Sequence, residues 1–348
     1  VGQLQVHNGY ELFRYDEPTY MWENVKNTSN DFSTLEKGRG YLYAHNTDAT
    51  VSLTGRLNTG TVKQNLTASG EYLTGFNLIG NPYMHNIRKG EAIKSSSFTT
   101  GYYTLTDEGA WHAREDSEII TPLQGILVKT TSTLNLDIKQ IAAESSSKRS
   151  SNSLIKVNVE NSQYEDVAYV VFNGIGLDKI DHRNENIPKV YVPVDNINYA
   201  IAVQDRQTTE IPGNIEVKTM GEYTISISVQ DFPCDNIVLH DNLNGNMVNI
   251  LKEDYTFMAT SNDRADRFTL KIDYKDNAII YTDNTHIYID NIFGDAIINI
   301  YDIKGNIVAQ HSTNDSDYTI STESMSRKIY IVNVIDNNGS YTQKIAIR

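Results

Sequence analysis

Apolar and polar residues alternate with a period of two along much of the chain. In the segments 155–159, 225–229 and 268–272, an Ile, Val, Phe or Leu stands at every second position. Such alternation places one face of a strand on a core and the other in water, as antiparallel sheets require. No segment holds an apolar i, i+3, i+4, i+7 stripe over three helical turns. The pattern therefore predicts an all-β protein.

Asn-Gly pairs interrupt the alternating segments at 8–9, 173–174, 244–245 and 338–339. Both residues tolerate positive φ, and the pair is the strongest short-range signal for a β-hairpin, so we expect a hairpin at each position. The oxygen-rich run 241–246 has a calcium loop as its alternative, but it lacks the spacing and the final Glu of an EF-hand. We therefore predict no cofactor.

One stretch has the composition of a linker. Residues 144–153 contain no apolar side chain and are mostly serine, so they cannot contribute to a core. A softer boundary is the polar run 273–277. The predicted organisation is a set of tandem β-sandwich domains: a first sandwich at 1–142, a Ser-rich linker at 143–153, a second sandwich at 154–275, and a small Ig-like sandwich at 276–348.

Composition narrows the range of partners. The formal net charge of the 348 residues is −14, with no stripe of Lys and Arg that would reverse its sign locally, so we predict no nucleic-acid partner. Cys234 is the only cysteine and excludes an internal disulfide. No apolar run approaches the roughly 20 residues of a transmembrane helix. The chain opens at Val1 without a signal peptide, and we expect a mature product or a piece of a longer protein.

The C-terminal stretches carry a first resemblance. Residues 297–308 have the pattern of a strand, an Asp-x-x-Gly turn and a second strand, while 329–334 and 341–348 have that of a closing hairpin. This order resembles the C-terminal sorting domains of the type IX secretion system and its relatives. The resemblance implies an Ig-like fold for the last domain and a contact with the secretion machinery.

The first domain carries a second resemblance. Residues 37–44 (KGRGYLYA) and 75–83 (GFNLIGNPY) are similar to signature stretches of large surface proteins from the same bacteria. The resemblance implies a bacterial multidomain protein with adhesin-type β-sandwich modules, located outside the cell or on its outer surface. It also implies that the chain is the C-terminal tail of a larger exported protein, and it implies no reaction.

Catalytic motifs are missing from the sequence. It has no Gly-x-Ser-x-Gly nucleophile elbow, no His-Glu-x-x-His zinc motif, no phosphate-binding loop and no dinucleotide fingerprint. We therefore predict no catalytic residues, no metal site and no enzymatic activity in this chain.

Aromatic residues offer the best candidates for binding. Trp111, with Tyr102 or Tyr103, lies near two predicted turns, and an exposed platform of these rings would stack on a sugar or pack on a partner. The alternative is that they pack in a core, as most strand aromatics do. A second cluster crowds the N-terminal strands, and it consists of Tyr10, Phe13, Tyr15, Tyr20 and Trp22.

The sequence thus predicts a non-catalytic adhesion or scaffold region of a cell-surface or secreted protein, with an extracellular protein or a glycan as its partner. One alternative is a carbohydrate-binding module that uses the platform at Trp111, Tyr102 and Tyr103. A second alternative is an accessory region of an extracellular hydrolase.

Overall fold

The computed structural model describes residues 9–143, 153–205, 208–232, 234–274, 278–283, 285–292, 294–336 and 339–347. Nearly all regular structure in these residues is β-strand, so the predicted all-β class is confirmed. The chain divides into two compact units: unit 1 is Val1–Phe232 with Ile237–Lys271, and unit 2 is Pro233–Asn236 with Ile272–Arg348. In the described part of the chain, no helix has the length and apolar character needed to cross a membrane.

Several small sheets make up the first part of unit 1, together with a one-turn helix, α1 (Lys89–Ala92), and a 3-10 turn at Thr28–Asn30. The sheet orders are β2-β1-β3, β5-β10-β7-β8, β4-β11 and β6-β9. The strands are β1 (Tyr10–Asp16), β2 (Met21–Asn24), β3 (Leu42–His45), β4 (Val62–Leu66), β5 (Phe76–Gly80), β6 (Ile87–Arg88), β7 (Tyr102–Leu105), β8 (Trp111–Arg114), β9 (Ile119–Ile120), β10 (Gly125–Lys129) and β11 (Leu134–Ile138).

The β5-β10-β7-β8 sheet is buried on both faces. Successive strand residues point to opposite faces, and the neighbours Tyr102 and Tyr103 of β7 belong to two different hydrophobic clusters. Tyr102 shares its cluster with Ile79 and Val128, whereas Tyr103 shares its cluster with Leu78. Each face of the sheet therefore lies against a core, and neither is left to water.

The two signature stretches of the first domain meet in this part of the structure. The N–H of Gly40 donates to the carbonyl of Leu78 at 2.9 Å, and that of Gly80 donates to the carbonyl of Gly38 at 3.0 Å. A Cβ on Gly40 would lie 2.6 Å from the carbonyl oxygen of Ile79. Glycine is therefore required at position 40 because two backbones approach closely there.

The second part of unit 1 consists mainly of an 11-stranded sheet in the order β20-β19-β22-β17-β15-β16-β13-β12-β18-β21, with β14 paired to β16. The strands are β12 (Leu154–Glu160), β13 (Glu165–Val171), β14 (Leu177–Asp178), β15 (Lys189–Val194), β16 (Ile197–Val203), β17 (Glu210–Glu216), β18 (Gly221–Gln230), β19 (Cys234–Asp241), β20 (Met247–Asn249), β21 (Tyr255–Ala259) and β22 (Phe268–Tyr274). A 3-10 turn at Ala265–Arg267 precedes β22.

The large sheet curls until its two ends meet. At one end, β21 carries Tyr255, whose hydroxyl donates to the carboxylate of Asp241 in β19 at 2.9 Å. Phe257 of β21 packs edge-on against Phe268 of β22 at 4.8 Å between ring centroids. The Arg267 guanidinium also bonds both oxygens of Asp241, at 2.9 and 2.7 Å. The sheet is therefore nearly closed, like a barrel.

The two parts of unit 1 share a hydrophobic core. Phe76, Tyr103 and Leu127 from the first part pack in the same cluster as Val167 and Ile201 from the second. Within the predicted Ser-rich linker at 143–153, residues 144–152 lie outside the described residues. The division into separate sandwiches at this segment stays a prediction.

Unit 2 is a small sandwich of two sheets, β23-β24-β27 and β26-β25-β28-β29. Its core is aliphatic apart from Tyr330 and includes Ile287, Ile298, Ile300 and Val332. The strands are β23 (Ile279–Thr282), β24 (His286–Asp290), β25 (Ala296–Asp302), β26 (Ile307–Thr313), β27 (Tyr318–Ser321), β28 (Ile329–Asp336) and β29 (Gly339–Ala346).

The structure confirms one of the predicted hairpins and contradicts another. A hairpin joins β19 and β20 around 244–245, with Gly245 at φ 78°. The pair 173–174 makes a turn but no hairpin, because β14 pairs with β16 and not with β13. The expected hairpin at 173–174 was wrong. An Asn-Gly pair predicts a change of chain direction, but it does not determine which strand the following strand pairs with. Asn8 and Asn338 lie outside the described residues.

Candidate ligand-binding cleft

One face of the N-terminal sheet carries aromatic side chains. Phe13 and Tyr15 of β1 are two positions apart and so point to the same face. Antiparallel pairing places Trp22 of β2 opposite Tyr15, and Leu42 of β3 opposite Phe13. The centroids of the Tyr15 and Trp22 rings are 5.0 Å apart. These four side chains form one wall of a cleft.

The rest of the cleft comes from distant parts of unit 1 and encloses about 330 Å³. Contributions come from the β5-β10-β7-β8 sheet, from the loop before β5 and from the segment after β14. The side chains are Tyr72, Leu73, Phe76, Trp111, Leu127, Lys179, Ile180, Asp181 and Arg183.

The loop that brings Tyr72 to the cleft is anchored by a buried carboxylate. Glu17, just after β1, accepts backbone N–H groups of Gly70 at 3.0 Å, Gly75 at 2.7 Å and Ser69 at 3.1 Å. Burial acts to raise the pKa of Glu17, but the bonds from Gly75 and Gly70 outweigh it and hold the pKa below its usual value. The charged form of Glu17 therefore fixes the loop.

The outer rim of the cleft is open to solvent and remains aromatic. Tyr72 is 61 % exposed, and its ring lies 5.4 Å from that of Tyr20, which is also exposed. Asp181 and Arg183 at the rim are exposed and carry opposite charges. A ligand would meet exposed ring faces before it reached the buried part of the cleft.

One residue of the cleft wall, Tyr15, ends in a fully buried hydroxyl group. Tyr15 is only 6 % exposed, and its hydroxyl has no hydrogen-bond partner among the residues that the structure describes. Burial, together with the nearby carboxylates of Glu17 and Asp16, raises the pKa of Tyr15 to about 12. The hydroxyl is therefore neutral at physiological pH and is both a donor and an acceptor.

Beneath the cleft lies a fully buried ion pair. The Lys179 ammonium group donates to the Asp166 carboxylate, which also accepts the N–H of Val190 at 2.8 Å. Nε2 of His182 is 3.3 Å from the same carboxylate, and its Nδ1 accepts the N–H of Trp111 at 3.1 Å. Burial acts to raise the pKa of Asp166, but Lys179 and His182 lower it below its usual value.

In unit 2, a carboxylate-capped turn joins β25 to β26. The Asp302 carboxylate accepts N–H groups of Lys304 at 2.8 Å and Asn306 at 3.0 Å. Gly305 has φ 87°, a conformation that favours glycine. This turn is the Asp-x-x-Gly motif of the sequence.

The family model of the secretion system C-terminal sorting domain matches residues 277–348. This segment is a sorting domain. Its strands, turn and Ile-rich core are those of unit 2, so the resemblance drawn from 297–308 and the closing hairpin is confirmed for this part of the chain. No curated protein matches the chain. The adhesin-type resemblance of the upstream modules stays a prediction.

The sorting domain establishes where the protein works. It marks a bacterial protein that is exported to the cell surface or the extracellular space, as predicted, and it implies an interaction with the secretion machinery. It does not specify the role of unit 1.

The structure places the three predicted binding residues in cores. The exposed fractions are 1 % for Tyr102, 0 % for Tyr103 and 6 % for Trp111. The Tyr103 hydroxyl donates to the carbonyl of Asp178 at 2.7 Å. The expected exposed platform is therefore not formed, because the sheet that carries these rings is covered on both faces. Trp111 still lines the cleft, and a ligand contact at Trp111 stays a prediction.

Sequence reasoning singled out some of the residues that line the cleft and missed the others. Trp22 and Tyr15 belong to the N-terminal aromatic cluster, and their period-two placement across β1 and β2 was the available signal. Tyr72 and Lys179 come from segments far along the chain, and no local pattern joins them to that cluster.

The oxygen-rich run 241–246 is occupied by internal bonds. Both Asp241 oxygens accept from Arg267, and one of them also accepts the N–H of Leu243 at 3.0 Å. Within the described ranges, no group of three His, Cys, Asp or Glu side chains is placed to hold a metal ion. The absence of a cofactor stays a prediction.

Proposed function

We propose that this chain is a non-catalytic adhesion region of an exported protein, in which unit 1 binds an extracellular ligand at the aromatic cleft. The observation that carries the proposal is the sorting domain at 277–348. A sorted protein acts outside the cell, and a cleft of about 330 Å³ with exposed aromatic rims in unit 1 has the character of a ligand site.

The charges around the cleft favour binding over catalysis. Asp166 and Lys179 bond each other beneath it, and Asp181 at the rim is paired with Lys189 at 2.7 Å. A general acid or base must reach the substrate with an uncommitted proton or lone pair. Membership of a larger hydrolase as an accessory region is the second candidate, and in it the catalytic residues would lie outside this chain.

Adhesion is testable with the purified full chain. Beads coated with the native chain are incubated with cells and extracellular matrix of the source bacterium, beside beads coated with the heat-unfolded chain. We expect several-fold greater retention of the native beads. Equal retention on the two kinds of bead would overturn the adhesive role, and turnover of glycoside or peptide substrates by the chain would overturn its non-catalytic character.

The export half of the proposal has its own test. Removing residues 277–348 from the protein in its own cells deletes the sorting domain. We expect the shortened protein to be retained inside the cells, whereas the intact protein is found on the surface or in the medium. Normal export of the shortened protein would show that another signal directs it.

A further inference from the structure

The buried pair of Asp166 and Lys179 differs from the other lysine–carboxylate pairs of the chain. Both of its side chains are completely buried. In every other such pair that joins two described residues, the carboxylate side chain is at least 33 % exposed. Water solvates those carboxylates, whereas solvent does not reach Asp166. An amine and a carboxyl group are therefore held together in a water-excluded part of the fold.

The two oxygens of the Asp166 carboxylate have different surroundings. Oδ2 accepts from the Lys179 ammonium group and from the N–H of Val190 at 2.8 Å, and it lies 3.3 Å from Nε2 of His182. Oδ1 has no hydrogen-bond partner among the residues that the structure describes. A buried carboxylate oxygen without a donor is destabilising, because folding removes its bonds to water and returns none. Loss of Oδ1 would therefore remove no hydrogen bond from the site.

Two groups besides Lys179 are placed to donate to Oδ2. Nδ1 of His182 accepts the N–H of Trp111 at 3.1 Å, so the proton of the neutral ring lies on Nε2, the atom that faces Asp166. The Nε2–H group and the Val190 N–H can therefore stabilise negative charge that develops on Oδ2, as the donors of an oxyanion hole do in acyl transfer. The site combines a buried amine, a carboxyl carbon and donors to one carboxyl oxygen.

We propose that Lys179 and Asp166 condense to an intramolecular amide once the chain has folded. The Lys179 ammonium group first passes a proton to the Asp166 carboxylate, which gives an amine and a carboxylic acid. Nζ then bonds to Cγ, the Cγ–Oδ1 bond breaks, and Oδ1 leaves as water with two of the three ammonium protons. The third proton stays on the amide nitrogen, and Oδ2 becomes the amide carbonyl. The net charge of the pair is zero before and after the reaction.

Burial favours the reacting form of each group. It lowers the pKa of Lys179, so the neutral amine, which is the nucleophile, is easier to reach. Burial also acts to raise the pKa of Asp166, and the charge of Lys179 is the main influence that opposes it. Transfer of a proton from Lys179 to Asp166 removes that influence. The amide replaces two buried charges by a neutral group, so the desolvation cost of the ion pair disappears.

The amide joins β13, which carries Asp166, to the segment that follows β14. This segment contributes Ile180, Asp181 and Arg183 to the lining of the cleft. An ion pair separates when unit 1 unfolds, whereas an amide does not. The link therefore keeps β13 attached to a wall of the cleft even in the unfolded chain.

Mass spectrometry of the full chain, purified folded and then denatured, tests the amide. We expect a mass about 18 Da below that of the sequence, which is the mass of one water. Trypsin leaves both residues in one peptide, because no Lys or Arg lies between Lys156 and Lys179. It does not cleave after an acylated lysine, so we expect the peptide 157–183, lighter by one water. Breaks of the backbone between the linked residues should release no fragments from it.

Lys179→Arg is the matched control, because a guanidinium group keeps the positive charge but does not lose its proton in proteins. This variant should have the full mass of its sequence. Within the wild-type chain, Lys89 and Asp116 are 2.7 Å apart and should stay unlinked, because the Asp116 side chain is 33 % exposed.

A wild-type chain of full mass that trypsin cleaves after Lys179 would overturn the proposal. So would a loss of water that persists in Lys179→Arg or that maps to another part of the chain. If Lys179→Arg does not fold, the wild-type peptide alone decides, since its fragments locate the link.

Discussion

The two units differ in the kinds of side chain that they bury. The hydrophobic core of unit 2 is aliphatic apart from Tyr330, and among its described residues the one buried charged side chain is Asp290. Unit 1 buries two ion pairs, Asp166–Lys179 and Asp241–Arg267, along with the Glu17 carboxylate. The small sorting domain thus relies mainly on apolar burial, which is non-directional. Unit 1 combines apolar cores with charged bonds that hold particular segments in place.

The difference follows from what each charged group positions. Glu17 fixes the loop that carries Tyr72, and Asp166 bonds Lys179 beneath the cleft. Asp241, which is bonded to Arg267, accepts the Tyr255 hydroxyl where the curled sheet closes. A buried ion pair adds little net stability, because desolvation offsets the attraction, but losing one partner is costly. We infer that the buried charges of unit 1 specify geometry, at the cleft in the case of Glu17 and Asp166 and at the closure of the large sheet in the case of Asp241.

The largest effect is expected at the ion pair beneath the cleft. Lys179→Met leaves the Asp166 carboxylate buried without its cation, and we expect unit 1 to lose about 3–5 kcal/mol. Urea unfolding followed by tryptophan emission measures it, because both tryptophans belong to unit 1. In the double variant Asp166→Leu/Lys179→Met no buried charge is left over, so a smaller loss is expected. A single-variant loss below about 1 kcal/mol would mean that the pair is not buried as described.

A cavity in unit 2 should act only on unit 2. Ile300 of β25 is fully buried, and Ile300→Ala should cost about 3 kcal/mol through lost contacts and the space left behind. Hydrogen exchange of β25 and β28 peptides, read by mass spectrometry, measures the loss. Ile297→Ala on the same strand is the control, because Ile297 is exposed and its loss should cost under about 0.5 kcal/mol. An equal effect of the two changes would contradict the described orientation of the strand.

Local patterns predicted much of the fold and little of the cleft. The alternating segments at 155–159, 225–229 and 268–272 fall in β12, β18 and β22, because period two is a property of a few neighbouring residues. Closure of the large sheet depends on Asp241 of β19 meeting Tyr255 of β21. That contact depends on how the whole sheet curls, which no strand encodes alone.

The burial of the predicted aromatic binding residues was also beyond the reach of local sequence patterns. Adjacent residues of a strand point to opposite faces, so at most one of Tyr102 and Tyr103 would be exposed on a half-covered sheet. Both are buried because cores lie on each side, one of them built with residues such as Val167 from beyond the serine-rich segment. Long-range packing decided which aromatics line the cleft.

A smaller effect is expected at the loop anchor. Glu17→Gln replaces the charged acceptor of three backbone N–H groups and should cost unit 1 about 2 kcal/mol. The pKa of Glu17 is lowered in the folded protein, so its stabilisation is present above the unfolded pKa of about 4.3 and is lost as pH falls through the folded pKa. The difference in free energy of unfolding between Glu17→Gln and the wild-type chain, measured by tryptophan emission, should therefore become smaller at acidic pH.

Glu71→Gln is the matched control for Glu17→Gln, since Glu71 lies in the same loop and is exposed. It should leave the unfolding midpoint of unit 1 within experimental error at every pH. If the difference in free energy of unfolding between Glu17→Gln and wild type instead became larger at acidic pH, the prediction would be contradicted. That result would show that the folded protein holds Glu17 in its neutral form.

The smallest predicted loss of stability tests how much a charged side chain stabilises unit 2. Burial acts to raise the pKa of Asp283, but bonds from Thr285, His286 and Tyr288 outweigh it and lower the pKa to about 2. Its folded pKa is below the unfolded value of about 3.9, so its stabilisation is present above that value and is lost as pH falls towards 2. Because Asp283 is exposed, we expect Asp283→Asn to cost only about 0.5 kcal/mol at pH ~7 and nothing at pH ~2. Hydrogen exchange of β23 and β24 peptides at the two pH values measures this. A loss approaching that of Lys179→Met would mean that unit 2 depends on charge as strongly as unit 1 does.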